Sequence, residues 1–338
     1  MTSWLKKIPE EIRRKARKKK QPEWTEPMLA TLTDERFSDE KWIYERKLDG
    51  ERCLVFINGK NVRLMSRNQK KLNSHYPELV ATIENQDAQD FIADGEVVAF
   101  KGNVTSFSRL QNRMHIRDEE EARKSGVAVW YYLFDLLYME GYDLTRIPLR
   151  HRKSLLKQVI SFQKPVRFVA HRNKEGEAYF SEACRKGWEG IIAKDAQSPY
   201  AHSRSKKWLK LKCGAGQELV IGGFTEPEGE RIGFGALLLG YYEGDKFRYA
   251  GKVGTGFDDK TLKRMHKRMK KIELDSPPFA DGEDLPTGRV HWTKPKLVAE
   301  IGFEEWTDAG KLRHPRYLGL RDDKDAADVV RETPEPAP

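Results

Sequence analysis

The dipeptide Asn58-Gly59 lies between an apolar run, Cys53 to Ile57, and a returning one, Val62 to Met65. Asn-Gly readily takes the left-handed backbone that a type I′ turn demands, so the stretch predicts an antiparallel hairpin. A hairpin alone is not stable, and other short runs must pair with it. Phe91 to Phe100 (interrupted by Asp94-Gly95), Val129 to Phe134, Gly190 to Lys194 and Trp208 to Lys212 supply them. Leu72, Tyr76, Leu79, Val80 and Ile83 recur at helical spacing, with Asn73 or Ser74 as N-cap. Residues 152–161 and 176–186 predict two more helices, the second closed by Gly187. Residues 22–213 therefore predict one mixed α+β domain, mainly antiparallel.

The pattern breaks at Cys213-Gly214-Ala215-Gly216. Beyond it, Glu218 to Phe224, Ala236 to Tyr242, Lys246 to Ala250 and Lys296 to Ile301 predict short strands, and residues 258–272 a helix. Such a set suits a small β-barrel of the OB type over residues 214–327. Residues 328–338, with Pro334, Pro336 and Pro338, are expected as a disordered tail. The net charge is +10, but residues 6–20 hold nine basic and two acidic side chains, hence +7. Residues 1–21 are accordingly expected to be a mobile basic arm suited to phosphates, while the body is only mildly basic. The longest apolar run, Val127 to Phe134, is far short of a bilayer span, and no apolar stretch follows the basic N-terminus as a signal would need. Cys53, Cys184 and Cys213 form no Cys-x-x-Cys pair, so free thiols in a reducing cytoplasm are expected, without a zinc site or disulfide framework.

Chemistry concentrates in seven strings. In order they are Glu45-Arg46-Lys47-Leu48-Asp49-Gly50-Glu51-Arg52, Ser66-Arg67-Asn68, Asp94-Gly95-Glu96, Phe134-Asp135-Leu136-Leu137, Glu189-Gly190-Ile191-Ile192-Ala193-Lys194, Trp208-Leu209-Lys210-Leu211-Lys212 and Arg321-Asp322-Asp323-Lys324. A lysine attacks phosphorus only as the neutral amine, which burial or neighbouring cations favour. Lys210 and Lys212 alternate on a strand, so both point to one face. There is no Walker A string, so a nucleotide would not be held by a P-loop.

Motif by motif, the series resembles the covalent nucleotidyltransferases: ATP-dependent DNA ligases, RNA ligases and mRNA-capping enzymes. It is most similar to the ligase domain of bacterial LigD end-joining proteins and stand-alone LigC-type ligases. The resemblance implies an ATP-grasp-like nucleotidyltransferase domain followed by an OB-fold domain. It implies that Lys47 becomes a lysyl-AMP, that Lys210 and Lys212 meet the α-phosphate and help depress the Lys47 pKa, and that Phe134 stacks on adenine. Glu45, Arg46, Arg52 and Arg67 would contact the nucleotide or the nucleic-acid ends. Glu96 and Glu189 would serve the ribose and a divalent ion, Mg²⁺ or alternatively Mn²⁺. Arg321 and Lys324 would orient pyrophosphate in the first step. The implied activity is sealing of nicks in repair or end joining by a cytoplasmic, nucleoid-associated bacterial monomer. Broken duplex DNA, Ku and separate end-processing enzymes would be its partners, with no membrane involved. An RNA ligase or a capping guanylyltransferase is the alternative.

Overall fold

The computed structural model describes residues 3–280 and 285–337. The chain divides into two units. One runs to Cys213 and regains the chain from Thr333 onward; the other is Gly214–Glu332.

The first unit contains two sheets. The larger has eight strands. Its main path is Arg17–Lys18, Tyr142–Asp143, Val129–Met139, Asp90–Lys101, Glu51–Asn58 and Asn61–Ser66. Val166–Phe168 joins Val129–Met139 in parallel, and Val104–Thr105 joins Asp90–Lys101. The smaller sheet runs His171–Asn173, Trp42–Lys47, Gly190–Asp195, Arg204–Lys212 and Leu29–Leu32, antiparallel except for the last pair. Alternation along each strand sorts the core. Cys53, Val55 and Ile57 join Leu79, Leu110 and Leu155 from the helices Pro77–Glu84, Phe107–Met114 and Leu149–Val159 on one face. Leu54 and Phe56 point the other way, into a cluster with Phe134, Tyr138 and Trp208. Trp208 belongs to the smaller sheet, so the two sheets pack face to face. The helix Gly176–Arg185 covers the far side of the smaller sheet through Tyr44, Ile191, Leu209 and Leu211.

The predicted hairpin forms with Asn58 opposite Asn61. The first predicted helix starts later, with Pro77 in its opening turn and Tyr76 at the cap. Asn73 is otherwise engaged: its Oδ1 accepts from the Leu64 N–H (3.0 Å) and its Nδ2 donates to the Val62 carbonyl (2.8 Å). Asp94-Gly95 does not interrupt its strand. The break falls instead in the register with Val129–Met139, which shifts there.

The basic N-terminal segment is not a free arm. Trp4 and Ile8 are buried in the larger core, Trp4 Nε1–H donates to Glu140 (2.9 Å), and Arg17–Lys18 pairs with Tyr142–Asp143. Two apolar anchors among the charges suffice to fasten it. The tail expected to be disordered is also held. Val329 is buried, the Glu332 N–H donates to Gln217, and the Glu335 N–H donates to the Leu32 carbonyl (2.9 Å). The cysteine expectation is corrected too. Cys53 is free and buried, but Cys184 and Cys213 form a disulfide, with Cα atoms 5.2 Å apart. The Cys213 N–H donates to the Glu189 carbonyl, which brings the strand end to the end of the Gly176–Arg185 helix. Sequence spacing carries no trace of that approach.

The second unit is a six-stranded antiparallel sheet in the order Lys246–Val253, Leu237–Glu243, Gly216–Thr225, Val290–Gly302 and Glu273–Leu274, with Arg316–Leu320 also on Val290–Gly302. Glu273–Leu274 and Arg316–Leu320 are additions to the predicted set. Among the described residues the ladder does not close into a ring. The predicted helix spans Asp259–Lys270, is capped by Asp258, and buries Leu262, Met265 and Met269 against the sheet.

Candidate active site

Lys47 is the last residue of its strand, just before the turn. Gly190 lies opposite both Lys47 and Lys212, and Ile192 lies opposite both Glu45 and Lys210. Residues opposite one another share a face, so Lys47, Glu45, Lys210 and Lys212 line one side of the smaller sheet. Trp208, two residues before Lys210, is on that side and meets Phe134 edge-on at 6.0 Å. The face therefore looks across at the larger sheet. Gly190 is required between the lysines: its φ is +150°, and a Cβ would stand 1.9 Å from the Leu211 carbonyl oxygen. The following turn is pinned by Asp49, whose carboxylate accepts the Phe107 N–H (3.1 Å) and whose own N–H donates to Thr105 Oγ1 (3.2 Å).

Lys47 Nζ is in direct contact with Glu189 Oε1; the side chains are 19% and 28% exposed. Burial pulls the ammonium down, yet the Glu189 carboxylate more than offsets it, and the Lys47 pKa moves upward. Lys212 pushes it down as expected, without deciding the direction. In this arrangement Lys47 is an ammonium ion.

Glu45 is fully buried between two cations, Lys153 Nζ at 2.6 Å and Lys194 Nζ at 2.7 Å. Burial raises its pKa, but the two ammonium groups outweigh burial and hold it low. Burial drives Lys194 down to about 8, against the pull of Glu45. Its Nζ sits 4.1 Å from the Phe134 ring centre and 3.9 Å from that of Trp208. Arg46 faces away. Its guanidinium lies 4.4 Å over Trp188, on the helix-covered side, so it is not gathered with Lys47.

On the larger sheet, Arg52, Glu96 and Tyr132 stand in one row. Arg52 donates twice to Asp94, at 2.6 Å each, and once to the Met28 carbonyl (3.0 Å). Asp94 is fully buried and also accepts from the Tyr200 hydroxyl (2.6 Å). The Arg52 guanidinium lies 4.8 Å from the Phe134 ring centre. Phe134 is 8% exposed, so the ring packs in the core between the sheets as well as bordering the site. Arg67 is half-buried in the turn after Asn61–Ser66. Sequence reasoning passed over Lys153, Asp94 and Tyr200. Asp94 belongs to the string Asp94-Gly95-Glu96, but a lone lysine on a helix and a tyrosine in a loop carry no signal of what they pair with.

Arg321 and Lys324 belong to the second unit. Arg321 binds Asp323 through two bonds (2.9 and 2.8 Å) and lies 3.4 Å from Glu300 and 3.6 Å from Glu218. Lys324 reaches Glu218 at 3.0 Å. Burial opposes the Arg321 charge, and the surrounding carboxylates, led by Asp323, raise its pKa well above the ordinary value.

No group of three or more His, Cys, Asp or Glu side chains among the described residues is arranged to hold a metal. Mg²⁺ takes only one or two protein carboxylates and completes its shell with phosphate oxygens and water, so a two-carboxylate set would fall below that number. No helix among the described residues is long and apolar enough to cross a membrane.

Both units of the chain match known protein families. Residues 27–212 match the ATP dependent DNA ligase domain, and residues 230–324 the ATP dependent DNA ligase C terminal region. The multifunctional non-homologous end joining protein LigD of Pseudomonas aeruginosa is 38% identical over 324 residues, covering 94% of this chain and 38% of that protein. A DNA ligase of Sulfolobus acidocaldarius is 33% identical, covering 86% of this chain and 54% of that protein. The chain thus spans roughly two fifths to one half of the curated relatives it matches. The solved structure of mycobacterial DNA ligase D complexed with ATP and MES superposes with a TM-score of 0.64 at 32% identity, covering 91% of this chain and 98% of that one. With both of its units matched, the chain belongs to the ATP-dependent DNA ligase family.

Proposed function

We propose that this ligase joins DNA in three steps, with Lys47 as nucleophile. The observation that carries the reading is the row formed by Lys47, Gly190 and Lys212, with Glu189 touching the Lys47 amine. In the first step the Lys47 nitrogen attacks the α-phosphorus of ATP, a P–N bond forms, and the bond to pyrophosphate breaks. Lys47 must first lose a proton, so the Glu189 contact that stabilises its ammonium form has to give way before attack. Lys210 and Lys212 offset charge on the α-phosphate. Phe134 stacks on adenine, with Arg52 and Lys194 beside the ring. Glu45, Arg67 and Glu96 serve the nucleotide or the DNA ends, and Arg321 and Lys324 the pyrophosphate. Mg²⁺, or Mn²⁺ in its place, would be held by Glu96 and Glu189 and would screen the phosphate charge. AMP then passes to the 5′-phosphate of a nick, and the 3′-hydroxyl displaces it. Likeness to LigD supports a place in double-strand-break repair, with Ku and separate end-processing enzymes as partners.

The test is incubation with α-labelled ATP. Wild type should acquire a label that withstands alkali and is released by acid, as a P–N bond requires, and Lys47→Ala should acquire none while keeping its far-UV spectrum. A labelled Lys47→Ala protein would overturn the assignment.

A further inference from the structure

We propose that the helix Asp259–Lys270 of the second unit, with Lys271, is a backbone-gripping surface for duplex DNA, separate from the chemistry at Lys47. Seven lysines and arginines lie between residues 259 and 271, against one acid, Asp259. Over the whole chain the two signs are nearly balanced, 62 to 52, so this concentration departs from the body. Two of the seven are neutralised locally: Arg268 pairs with Asp322 (2.7 Å) and Lys270 with Glu273 (3.0 Å). Arg264 is half-buried. The remaining four, Lys260, Lys263, Lys267 and Lys271, are exposed, and none forms an ion pair with a described residue.

Their spacing is what makes them a surface. At about 100° per residue the four fall within an arc of roughly 80°, opposite the buried Leu262, Met265 and Met269. They run about 16 Å along the axis. Lysines three and four apart on one face repel one another. Lys260 also stands in the first turn, where the helix dipole disfavours a cation. Dipole complementarity accounts for Lys270 and Lys271 but not for Lys260 and Lys263. A merely solvated face would gain from interspersed acids, and this one has only Asp259 at its edge, four residues before Lys263. The arrangement destabilises the isolated helix and is relieved by a polyanion. Duplex DNA presents one charge per about 1.7 Å of axis and is the polyanion a DNA ligase meets.

The proposal rests on the ligase reading, and its test separates the two. Lys260, Lys263, Lys267 and Lys271 are all changed to Gln in the full chain, which keeps helix propensity. A companion variant changes all four to Arg. Binding to a nicked duplex is measured by anisotropy over a series of salt concentrations, beside labelling with ATP. The Gln variant should show a log–log salt slope shallower by about 3–4 units. The Arg variant should restore it, and labelling should be unchanged in both. An unaltered slope in the Gln variant, including one caused by the stripe serving an acidic protein instead, would overturn the proposal. A shallower slope in both variants would overturn it as well, since charge would then not be the cause. Normal slopes in a wild-type chain that takes no label would refute the ligase reading and leave the surface standing.

Discussion

Asp94→Ala tests whether the candidate site depends on a charge pair buried beneath it. Asp94 is fully buried, and two of its three bonds go to Arg52, whose side chain is 18% exposed. Removing one member of a buried pair costs about 3–5 kcal/mol, because the other charge is left without compensation. Arg52 reaches water in part, so the lower end applies, about 3 kcal/mol by that reasoning. The Tyr200 hydroxyl loses its acceptor as well, adding about 1 kcal/mol. In a unit of about 200 residues such a loss lowers Tm by roughly 8–16 °C. Replacing both partners with apolar groups, Asp94→Leu with Arg52→Met, should recover most of the stability, short of the Tyr200 contribution. The double variant should not recover ATP labelling, since the guanidinium beside Phe134 is gone. The assays are denaturant unfolding of wild type, Asp94→Ala and the double variant, and their labelling rates. A loss below about 1 kcal/mol in Asp94→Ala would refute the buried-pair argument, and full labelling by the double variant would show that Arg52 has no part in binding nucleotide.

Other perturbations follow from the same geometry. Arg321→Gln leaves Glu218, Glu300 and Asp323 without their shared cation. It should abolish self-labelling while a pre-adenylated nick is still sealed, and equal loss in both assays would place Arg321 elsewhere in the reaction. The folded-state pKa of Lys194 is about 8, below the roughly 10.4 of an unfolded lysine. Between those values the unfolded chain holds a proton that the folded one has released, so the Lys194 contribution to stability grows as pH rises through that window. Comparing urea midpoints near pH 7.5 and pH 9.5, Lys194→Met should remove that rise; an unchanged difference would contradict it. Trp4→Ala should cost up to about 3–5 kcal/mol, because a buried ring is lost from the larger core. Deleting the N-terminal segment would therefore disturb folding along with any DNA grip. Charge reversal at the exposed Lys15, Arg17 and Lys18 is the cleaner probe of the latter, read in the salt slope of nick binding.

What was legible in the chain was whatever depends on local order. The hairpin at Asn58-Gly59, the shared face of Lys210 and Lys212, and the helix over Asp259–Lys270 are matters of turn chemistry and periodicity. Registers between strands distant in sequence were not legible. Nothing in the string shows that Gly190 lies between Lys47 and Lys212, or that Glu45 meets Lys153 across more than a hundred residues. Arg46 illustrates the same limit: adjacency to Lys47 in sequence puts it on the opposite face of a strand. The N-terminal segment looked free because charge dominates its composition, although Trp4 and Ile8 hold it. Lys47 looked ready to lose its proton because the cations near it were visible in the sequence, while the contact with Glu189 arises only on folding.

The bond between Cys184 and Cys213 has a topological consequence. It closes residues 184–213 into a covalent ring, and Glu189, Gly190, Lys194, Lys210 and Lys212 all lie on that ring. A single peptide cut in its exposed stretch, at Arg204 or Lys206 for instance, opens the ring without separating the chain. A nicked molecule would keep its mass until reduced, and the strands carrying these side chains would stay tethered at one end through the partial unfolding that precedes further cleavage.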